Sequence, residues 1–561
     1  MSQEFSRVKV STNKRSSIDL SHDQVTSTDF GKLIPICVRE CLPDDDISLD
    51  PRVFIRLAPL AVPTFGRIKA RVHTFFVPNR ILWCRWDRWI TGTTNVSLPY
   101  FTSQALAARA SADPAFLGYN TATEISYFRG QITDLFTNLG ISQDAVKAYA
   151  DLTKNYQINP FPFLAYQRIW FDYFRDSNLN KDESWFDQFR NHDYGQYTAQ
   201  IVDQLVQLRR VCFKKDYFTT AKMQPQDGSS AASAGVENSF SSPISSNRNV
   251  VATPDGSLNT LNGSTIDSTI SQSISVPALR VATALQRYLE RNNFVGARAI
   301  SRFLAHFGIA PSAERLDMAE YIDGFDFPVQ ISDVTSTGIR EASGSGLTTS
   351  GLGTQAGKGV AAGNSNAIKY HAKEHGILMS VLSILPDTGY YQGLPKMFSR
   401  GFMGDGKFEY YTPEFENLGF QPILKRELLA NVADPEQVVG YTPKYSEYKF
   451  QNDVLAGDLV ARGTNTGTDS YHLFRRIVNE MLPTGITETF TSCTSFNQRQ
   501  YDRIFQVPGS GTSEGIDHFF VNVTCLCSMV RNMSSFTAPS IINSEEGDGN
   551  RIDLPYGGIR L

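Results

Sequence analysis

The sequence predicts a mainly β protein, an antiparallel sandwich interrupted by long insertions. Aromatic residues make up 12% of the 561 positions and charged residues only 20%, a composition that favours extensive β-structure and large buried surfaces. Three strand-like runs near the N-terminus follow one another at a spacing of about ten residues, separated by turn-forming residues and not by helices. Such spacing is typical of antiparallel sheets and not of alternating strands and helices.

Charge and cysteine content exclude several classes of protein. The 53 basic and 57 acidic residues leave a formal net charge of −4, so bulk electrostatics gives no reason to expect nucleic-acid binding. Seven cysteines are too few for a secreted disulfide scaffold, which favours reduced thiols in a cytosol. The first ten residues lack an apolar signal segment, and no stretch reaches the ~18 apolar residues of a membrane helix. We therefore expect no membrane insertion.

The order of segments predicts a polar arm followed by one interrupted domain. Residues 1–30 are rich in serine and threonine and form the predicted arm, and 31–561 form the domain. The predicted strands are 33–42, 53–62, 67–77, 375–385 and 516–531. The predicted insertions are 80–215 (mixed helix and loop), 223–277 (rich in Ser, Asn and Gly), 278–308 (helical) and 336–368 (a Gly-rich loop).

Two cysteines lie in the last predicted strand. Cys525 and Cys527 belong to an alternating run from Phe519 to Val530, in which positions i and i+2 share one face. We expect two small buried hydrophobic residues there, with a metal site as the alternative.

The insertion at 80–215 carries two aromatic segments. In the first, tryptophans recur at helical spacing on one side of the segment 81–90, which indicates a packing surface and not a cofactor site. The second is the run 161–176. The side chains that we expect to pack these segments onto the sandwich or onto a neighbouring subunit are Trp83, Trp86, Trp89, Phe161, Tyr166 and Trp170.

The next two insertions differ in composition. Residues 223–277 lack lysine and have few large apolar side chains, which predicts a surface insertion with short strands or a flexible linker. Residues 278–307 have apolar side chains on one side and arginines, from Arg287 to Arg302, on the other. This pattern predicts a helical segment with a break near Asn292 and a C-cap at Gly308.

No pattern predicts a catalytic, metal or cofactor site. His371 and His375 fit the H-x-x-E-H zinc pattern, which requires a helix, yet they lead into an apolar strand-like run. The glycines of 351–359 resemble a nucleotide-binding loop, but they neither follow a strand nor open a helix. The acids Asp44–Asp46 could bind calcium, but the pattern favours a solvated turn.

Short motifs in collinear order, which together cover most of the chain, support a more specific interpretation. They are Ile18–His22, Phe30–Pro35, Phe75–Arg80, Phe161–Phe163, Asp216–Thr219, His306–Gly308, Glu374–Gly376, Phe398–Arg400 and Tyr445–Tyr448. In this order they resemble the major capsid proteins of the Microviridae, small icosahedral bacteriophages, and their gokushovirus-like branch in particular.

The resemblance implies a structural protein without enzymatic activity or cofactor. It implies a single eight-stranded antiparallel jelly roll, of which sixty copies build a T=1 shell around circular single-stranded DNA. It also implies a virion protein that assembles in the cytoplasm of the host bacterium. The alternatives are a receptor- or carbohydrate-binding β-sandwich of a phage and a zinc hydrolase built on His371 and His375.

Partners follow from the resemblance and from the charge. Because the net charge cannot neutralise DNA, we expect phosphate contacts from the arm and a small basic DNA-binding protein. The resemblance adds a minor or pilot protein as an expected partner. The candidate phosphate ligands are Arg7, Lys9, Lys14 and Arg15. The resemblance also implies that 223–277 forms a three-fold protrusion that contacts a host receptor, with a mobile linker as the alternative. The apolar residues expected to meet there are Val250, Val251, Leu258 and Leu261.

Overall fold

The structure is a computed structural model in which most, but not all, of the chain is described. The described residues are 15–92, 96–102, 134–142, 157–176, 184–192, 197, 202, 204–225, 250–252, 258–260, 276–295, 299–309, 312, 317–335, 355–364, 366–387, 389–400, 410–416, 419–460, 468–477, 499–507 and 517–533. Four residues singled out above, Arg7, Lys9, Lys14 and Leu261, lie outside them, as do most of 223–277 and all of 336–354.

Strands form most of the regular structure in the described residues. They are β1 (Ser16–Asp19), β2 (His22–Thr28), β3 (Leu33–Cys41), β4 (Asp45–Leu57), β5 (Ile68–Pro78), β6 (Phe101–Thr102), β7 (Gln157–Ile158), β8 (Val250–Ala252), β9 (Leu258–Thr260), β10 (Glu320–Thr335), β11 (Gln355–Asn364), β12 (Ile368–Ala372), β13 (Gly376–Pro386), β14 (Phe420–Leu424), β15 (Val438–Pro443) and β16 (Phe519–Arg531).

One large antiparallel sheet contains ten of these strands, which confirms the mainly β prediction. Its order is β1-β16-β4-β11-β10-β5-β13-β3, with β2 also paired to β16 and β12 also paired to β4. The long strand β10 joins two layers, because its first part pairs with β5 and its last part, 330–335, pairs with β11. The curled sheet is consistent with a jelly roll. It holds ten strands and not the eight expected, because β1 and β2 share one side of β16, and β11 and β12 share one side of β4.

The second strand starts earlier than the sequence predicts. Residues 45 and 46, expected in a turn, already belong to β4, and Pro51 lies inside the strand. Proline lacks the N–H that a central strand needs. On the side of β4 away from β16, β12 pairs with residues 45–49 and β11 pairs with residues 52–56. Pro51 therefore falls between these two partner strands.

The two layers enclose the main core, and a pair of cysteines meets across it. Cys37 of β3 and Cys525 of β16 lie against each other with Cα atoms 6.0 Å apart, a separation that a disulfide can span. No local pattern predicts this meeting of residues 488 positions apart, and the reduced state of the thiols stays a prediction. Cys525 and Cys527 are both buried on the inner face of β16, as the alternation predicts.

Helices occur mainly in the insertions. They are α1 (Asn79–Leu82), α2 (Trp86–Ile90), α3 (Phe161–Ile169, extended by a π-helical turn Trp170–Phe174), α4 (Ser184–Arg190), α5 (Val276–Val295), α6 (Ala299–Phe307), α7 (Lys396–Ser399) and α8 (Lys425–Leu428). Short 3-10 turns are Pro413–Phe415, Ser446–Tyr448, Gly457–Leu459, Asp469–Tyr471 and Arg499–Ile504.

The predicted helical insertion is present, but its break comes later than expected. Helix α5 continues through Asn292 to Val295, because the buried Asn292 amide bonds with His306 of α6 at 2.8 Å and does not compete for the backbone. Gly308 ends α6 with a φ of 69° and donates its N–H to the Leu304 carbonyl, as predicted for a C-cap.

Candidate assembly surface

Helices α5 and α6 expose much of their apolar side. The two helices contact each other, and Tyr288 stacks on His306 with ring centroids 5.0 Å apart. Nevertheless Leu304 is 54% exposed and Phe307 71% exposed. We call the exposed apolar side chains of this hairpin the helical surface; they are Leu279, Val281, Leu285, Tyr288, Phe303, Leu304, Phe307 and the adjoining Ile309. Apolar clusters of this kind mark interaction sites.

The helical surface is also positively charged. Arg280, Arg287 and Arg291 on α5 are exposed, and α6 adds Arg302. Within the two helices, Glu290 is the one acidic residue. A partner for this surface must therefore offer apolar groups together with acids.

A second exposed cluster combines aromatic side chains with charges of both signs. We call it the aromatic surface, and its exposed apolar side chains are Met397, Phe398, Tyr410, Tyr411, Tyr448, Phe450 and Val454. Glu414, Glu416 and Asp453 are exposed between them, and Glu416 pairs with Lys449 at 3.5 Å and Asp453 with Arg67 at 3.8 Å. The carboxylate of Glu416 accepts a hydrogen bond from the Tyr411 hydroxyl at 3.2 Å, and its charge raises the pKa of Tyr411. Sequence reasoning missed this surface, although adjacent Tyr410 and Tyr411 beside acids were a signal.

The tryptophans predicted to pack the first insertion lie in or against the main core. Trp83 is fully buried and its Nε1 donates to the His192 carbonyl at 2.7 Å. Trp86 is partly buried, with its ring centroid 5.7 Å from that of His375 and 5.2 Å from that of Trp89. These contacts join α1 and α2 to the end of the sheet.

The aromatic side chains of α3 are buried within the subunit. The Tyr166 hydroxyl donates to the Leu33 carbonyl at 2.7 Å and accepts the Arg209 N–H, and burial raises the pKa of Tyr166. Trp170 Nε1 donates to the Arg210 carbonyl, and Phe161 meets Trp86 edge to face. Helix α3 packs against β5 and β13, so these residues cover one face of that layer.

The basic and acidic residues near the N-terminus pair with each other. Arg15 Nη2 lies 2.8 Å from Asp46 Oδ2, and His371 Nδ1 lies 2.7 Å from Asp46 Oδ1. The hydrogen bond from His371 and the charge of Arg15 lower the pKa of Asp46. Buried Asp45 binds Arg531 Nε at 3.0 Å. The acids therefore connect strands and do not form a merely solvated turn. Arg15 can contact a phosphate only if it gives up its ion pair with Asp46.

A buried charge network lies where β16 begins. Lys32 Nζ pairs with Asp517 at 2.7 Å and with Asp134 at 3.2 Å. Burial alone would lower the pKa of Lys32, but the two carboxylates outweigh it and raise that pKa. The fully buried His518 lies 3.2 Å from Asp29 and stacks on Phe505. This network ties the β2–β3 connection to β16.

The predicted protrusion contains a short β-hairpin. Strands β8 and β9 pair antiparallel, with Val250 opposite Thr260, Val251 opposite Asn259 and Leu258 opposite Ala252. Short strands within 223–277 are thus present, as the sequence predicts.

The described residues give no support to metal chemistry at the zinc-like pattern. His371 lies in β12, His375 precedes β13, and Glu374 is held by Arg80 Nε at 2.9 Å, so the pattern is not helical. Within the described ranges, no group of three His, Cys, Asp or Glu side chains could hold a metal ion. In the same part of the chain, no helix combines the length and apolarity needed to cross a membrane.

Comparison with known proteins supports a shell protein. A family model described as "Capsid protein (F protein)" matches residues 6–541. The chain is 26% identical to "Capsid protein VP1" of Chlamydia phage 1, over 96% of this chain and 98% of that protein. It is 26% identical to the protein of the same name from Bdellovibrio phage phiMH2K, over 84% and 86%, and 22% identical to that from Spiroplasma virus 4, over 81% and 84%.

These relatives confirm the resemblance to gokushovirus-like Microviridae, and they are named as structural proteins and not as enzymes. A capsid protein assembles with copies of itself and is a component of the virion. The chain belongs to the phage capsid F protein family.

Proposed function

We propose that sixty copies of this protein assemble, in the host cytoplasm, into a T=1 icosahedral shell around a circular single-stranded DNA genome. The observation that carries this proposal is the pair of exposed surfaces on one subunit. The helical surface is apolar and rich in arginine, and the aromatic surface is apolar and carries exposed acids. Arginines on the first surface can therefore pair with acids on the second.

Two different complementary surfaces favour a head-to-tail contact between copies. Such a contact closes into a ring when its rotation fits a symmetry axis. Aromatic side chains and arginine are enriched at the centres of protein interfaces, as they are on these two surfaces. In a T=1 shell every copy has the same environment, so one such pair of surfaces can be used by all subunits.

The test is to place charge in the helical surface. In L304D/F307D we expect folded subunits that fail to form particles, because a buried unpaired charge opposes the contact. Circular dichroism would check folding, and sedimentation with negative-stain microscopy would count particles. The matched control is M533D, since Met533 is 46% exposed and lies beyond the end of β16. Normal particle yield from L304D/F307D, or an equal loss from the control, would contradict the proposal.

Charge reversal tests the pairing itself. R287E/R291E should lower particle yield, and adding E414K/E416K should restore part of it, because the attraction then returns with exchanged signs. No recovery in the combined variant would argue against contact between these two surfaces.

The arm and partner proteins would supply DNA contacts. We place Arg7, Lys9, Lys14 and Arg15 against phosphates, with a small basic DNA-binding protein and a minor or pilot protein in the particle. A net charge of −4 supports this need for local or added cations. A particle map with the arm on the outer surface would contradict the phosphate contacts.

The insertion 223–277 would form a three-fold protrusion that contacts a host receptor. The β8–β9 hairpin supports an ordered element in it, and contact between three copies could bury Val250, Val251, Leu258 and Leu261. Replacing 226–274 by a short Gly/Ser linker should give smooth shells that adsorb poorly to cells. Smooth shells with normal adsorption would contradict the receptor role.

A further inference from the structure

Two cysteines from opposite layers of the sheet meet in the main core. Cys37 of β3 is 1% exposed and Cys525 of β16 is 0% exposed. Their Cα atoms are 6.0 Å apart, close to the commonest separation in disulfides, about 5.5–6 Å. The two strands are not neighbours, because β3 lies at one end of the strand order and β16 near the other. A bond between the two sulfur atoms would therefore join the layers directly across the core.

The backbone departs from a regular strand at Cys37. The register between β3 and β13 shifts at this point, so that Cys37 and Val38 together lie opposite the single residue Met379. Such β-bulges change the direction of a side chain and are found next to functional sites. Cys37 also has a φ of 50°, a left-handed conformation that favours glycine. Non-glycine residues held in this conformation cluster at functional positions, and here the residue is the one that meets β16.

We infer that Cys37 and Cys525 form a redox-dependent bond across the core: two thiols in a reducing cell and a disulfide in an oxidising medium. Oxidised glutathione supplies the oxidising equivalents. One cysteine, as its thiolate, attacks glutathione disulfide to give a mixed disulfide and one molecule of glutathione. The second cysteine then displaces the remaining glutathione and closes the protein disulfide. In sum, two protein thiols and one glutathione disulfide give one protein disulfide and two molecules of glutathione.

The bond would stabilise the subunit without changing its surface. Because the two cysteines are 488 positions apart, their disulfide closes most of the chain into a loop and restricts the unfolded state. On the proposed shell function, particles built from reduced subunits become more resistant to unfolding after release from the cell. Oxidation is slow, because buried thiols react poorly and the oxidant enters only when β3, the last strand in the sheet order, opens.

A second pair of cysteines on the same strands provides the matched control. Cys41 of β3 and Cys527 of β16 are buried free thiols. Burial raises the pKa of Cys41 to about 12 and also raises the pKa of Cys527. Substituting this pair removes two buried sulfur atoms from the same part of the core as substituting Cys37 and Cys525.

The experiment compares the full-length protein after incubation with oxidised glutathione and after incubation with dithiothreitol. Remaining thiols are blocked with N-ethylmaleimide during unfolding, and proteolytic peptides are identified by mass spectrometry. We expect the Cys37 peptide to be bonded to the Cys525 peptide only after oxidation. The oxidised protein should unfold at a temperature roughly 4 °C or more above that of the reduced protein. C37A/C525A should abolish this difference, whereas C41A/C527A should keep it.

Three results would overturn the inference. The first is the absence of the Cys37–Cys525 bond after oxidation, because the pair would then be two packed thiols. The second is a bond between Cys41 and Cys527 in its place. The third is an unfolding temperature that does not differ between the redox states, or differs equally in C37A/C525A. Particle formation is counted separately by sedimentation, so failure of the shell function is distinguishable from failure of the disulfide.

Discussion

The two layers of the sheet differ in what lies on their outer sides. In β13 all eleven residues are buried, because α3 packs on the outer side of this layer. In β16 burial alternates along most of the strand, with Phe519, Val521 and Val523 buried and Phe520 and Asn522 exposed. The comparison shows that an uninterrupted apolar strand indicates a second covering element, whereas alternation indicates a solvent-facing side.

In the layer that α3 covers, buried polar groups must form their hydrogen bonds within the protein, because water is excluded. The hydroxyls of Thr74 and Ser380, on paired positions of β5 and β13, are 2.8 Å apart and fully buried. On the outward side of the layer formed by β2, β16, β4 and β11, which we call the bare face, Asn522 and Arg56 are exposed to solvent. Covering a sheet therefore constrains both sides of each strand, and substitutions should show it.

The largest effect is expected at Trp83, next to α1, where the insertion is attached to the layer that α3 covers. Trp83→Ala should lower the free energy of unfolding by about 3–5 kcal/mol, because it leaves a cavity and removes the hydrogen bond to the His192 carbonyl. Trp89→Ala should cost clearly less, because that ring is only partly buried. Urea unfolding of the subunit would measure both. Equal losses of unfolding free energy in the two variants would mean that the burial of Trp83 does not hold the insertion onto this layer.

The next effect compares a buried position in one layer with an exposed position in the other. Leu382→Ala in β13 should cost about 2–5 kcal/mol because the side chain is completely buried. Val25→Ala on the bare face should change the unfolding free energy by less than about 0.5 kcal/mol. Thermal unfolding of both variants gives the comparison. A cost at Val25 close to that at Leu382 would show that the bare face is covered in the subunit.

The smallest effect concerns pH, at the start of β16. Asp29, Asp502 and the Val507 carbonyl raise the pKa of His518 above its ordinary value of 6.5, although burial opposes this. Because the folded subunit holds this proton more tightly than the unfolded chain does, the imidazolium stabilises the fold fully below pH ~6.5. That stability is lost as the pH rises through the pKa of the folded state, and each tenfold difference in proton affinity contributes about 1.4 kcal/mol.

His518→Gln should therefore remove a component of stability that weakens with rising pH. Unfolding midpoints measured from below pH 6.5 upward, against Trp89→Ala as control, would show it. If the wild-type unfolding midpoint instead rose with pH across this range, relative to that of His518→Gln, the prediction would be contradicted.

Local patterns in the sequence determined the strands, their faces and the family. The alternation from Phe519 placed Cys525 and Cys527 inside, and the apolar run of β13 was recognisable as a strand. Collinear motifs indicated the capsid family, which the comparisons confirm. These features depend on neighbours two to four residues apart, so a single sequence contains them.

Contacts between distant segments were decided only by the tertiary structure. Pro51 is tolerated in β4 because two separate strands end on either side of it, and Cys37 meets Cys525 across the two layers. The helical pattern of α5 and α6 showed an apolar side but not that Leu304 would remain exposed. Burial and pairing depend on which surfaces come together, and that is a property of the whole chain and not of any local segment.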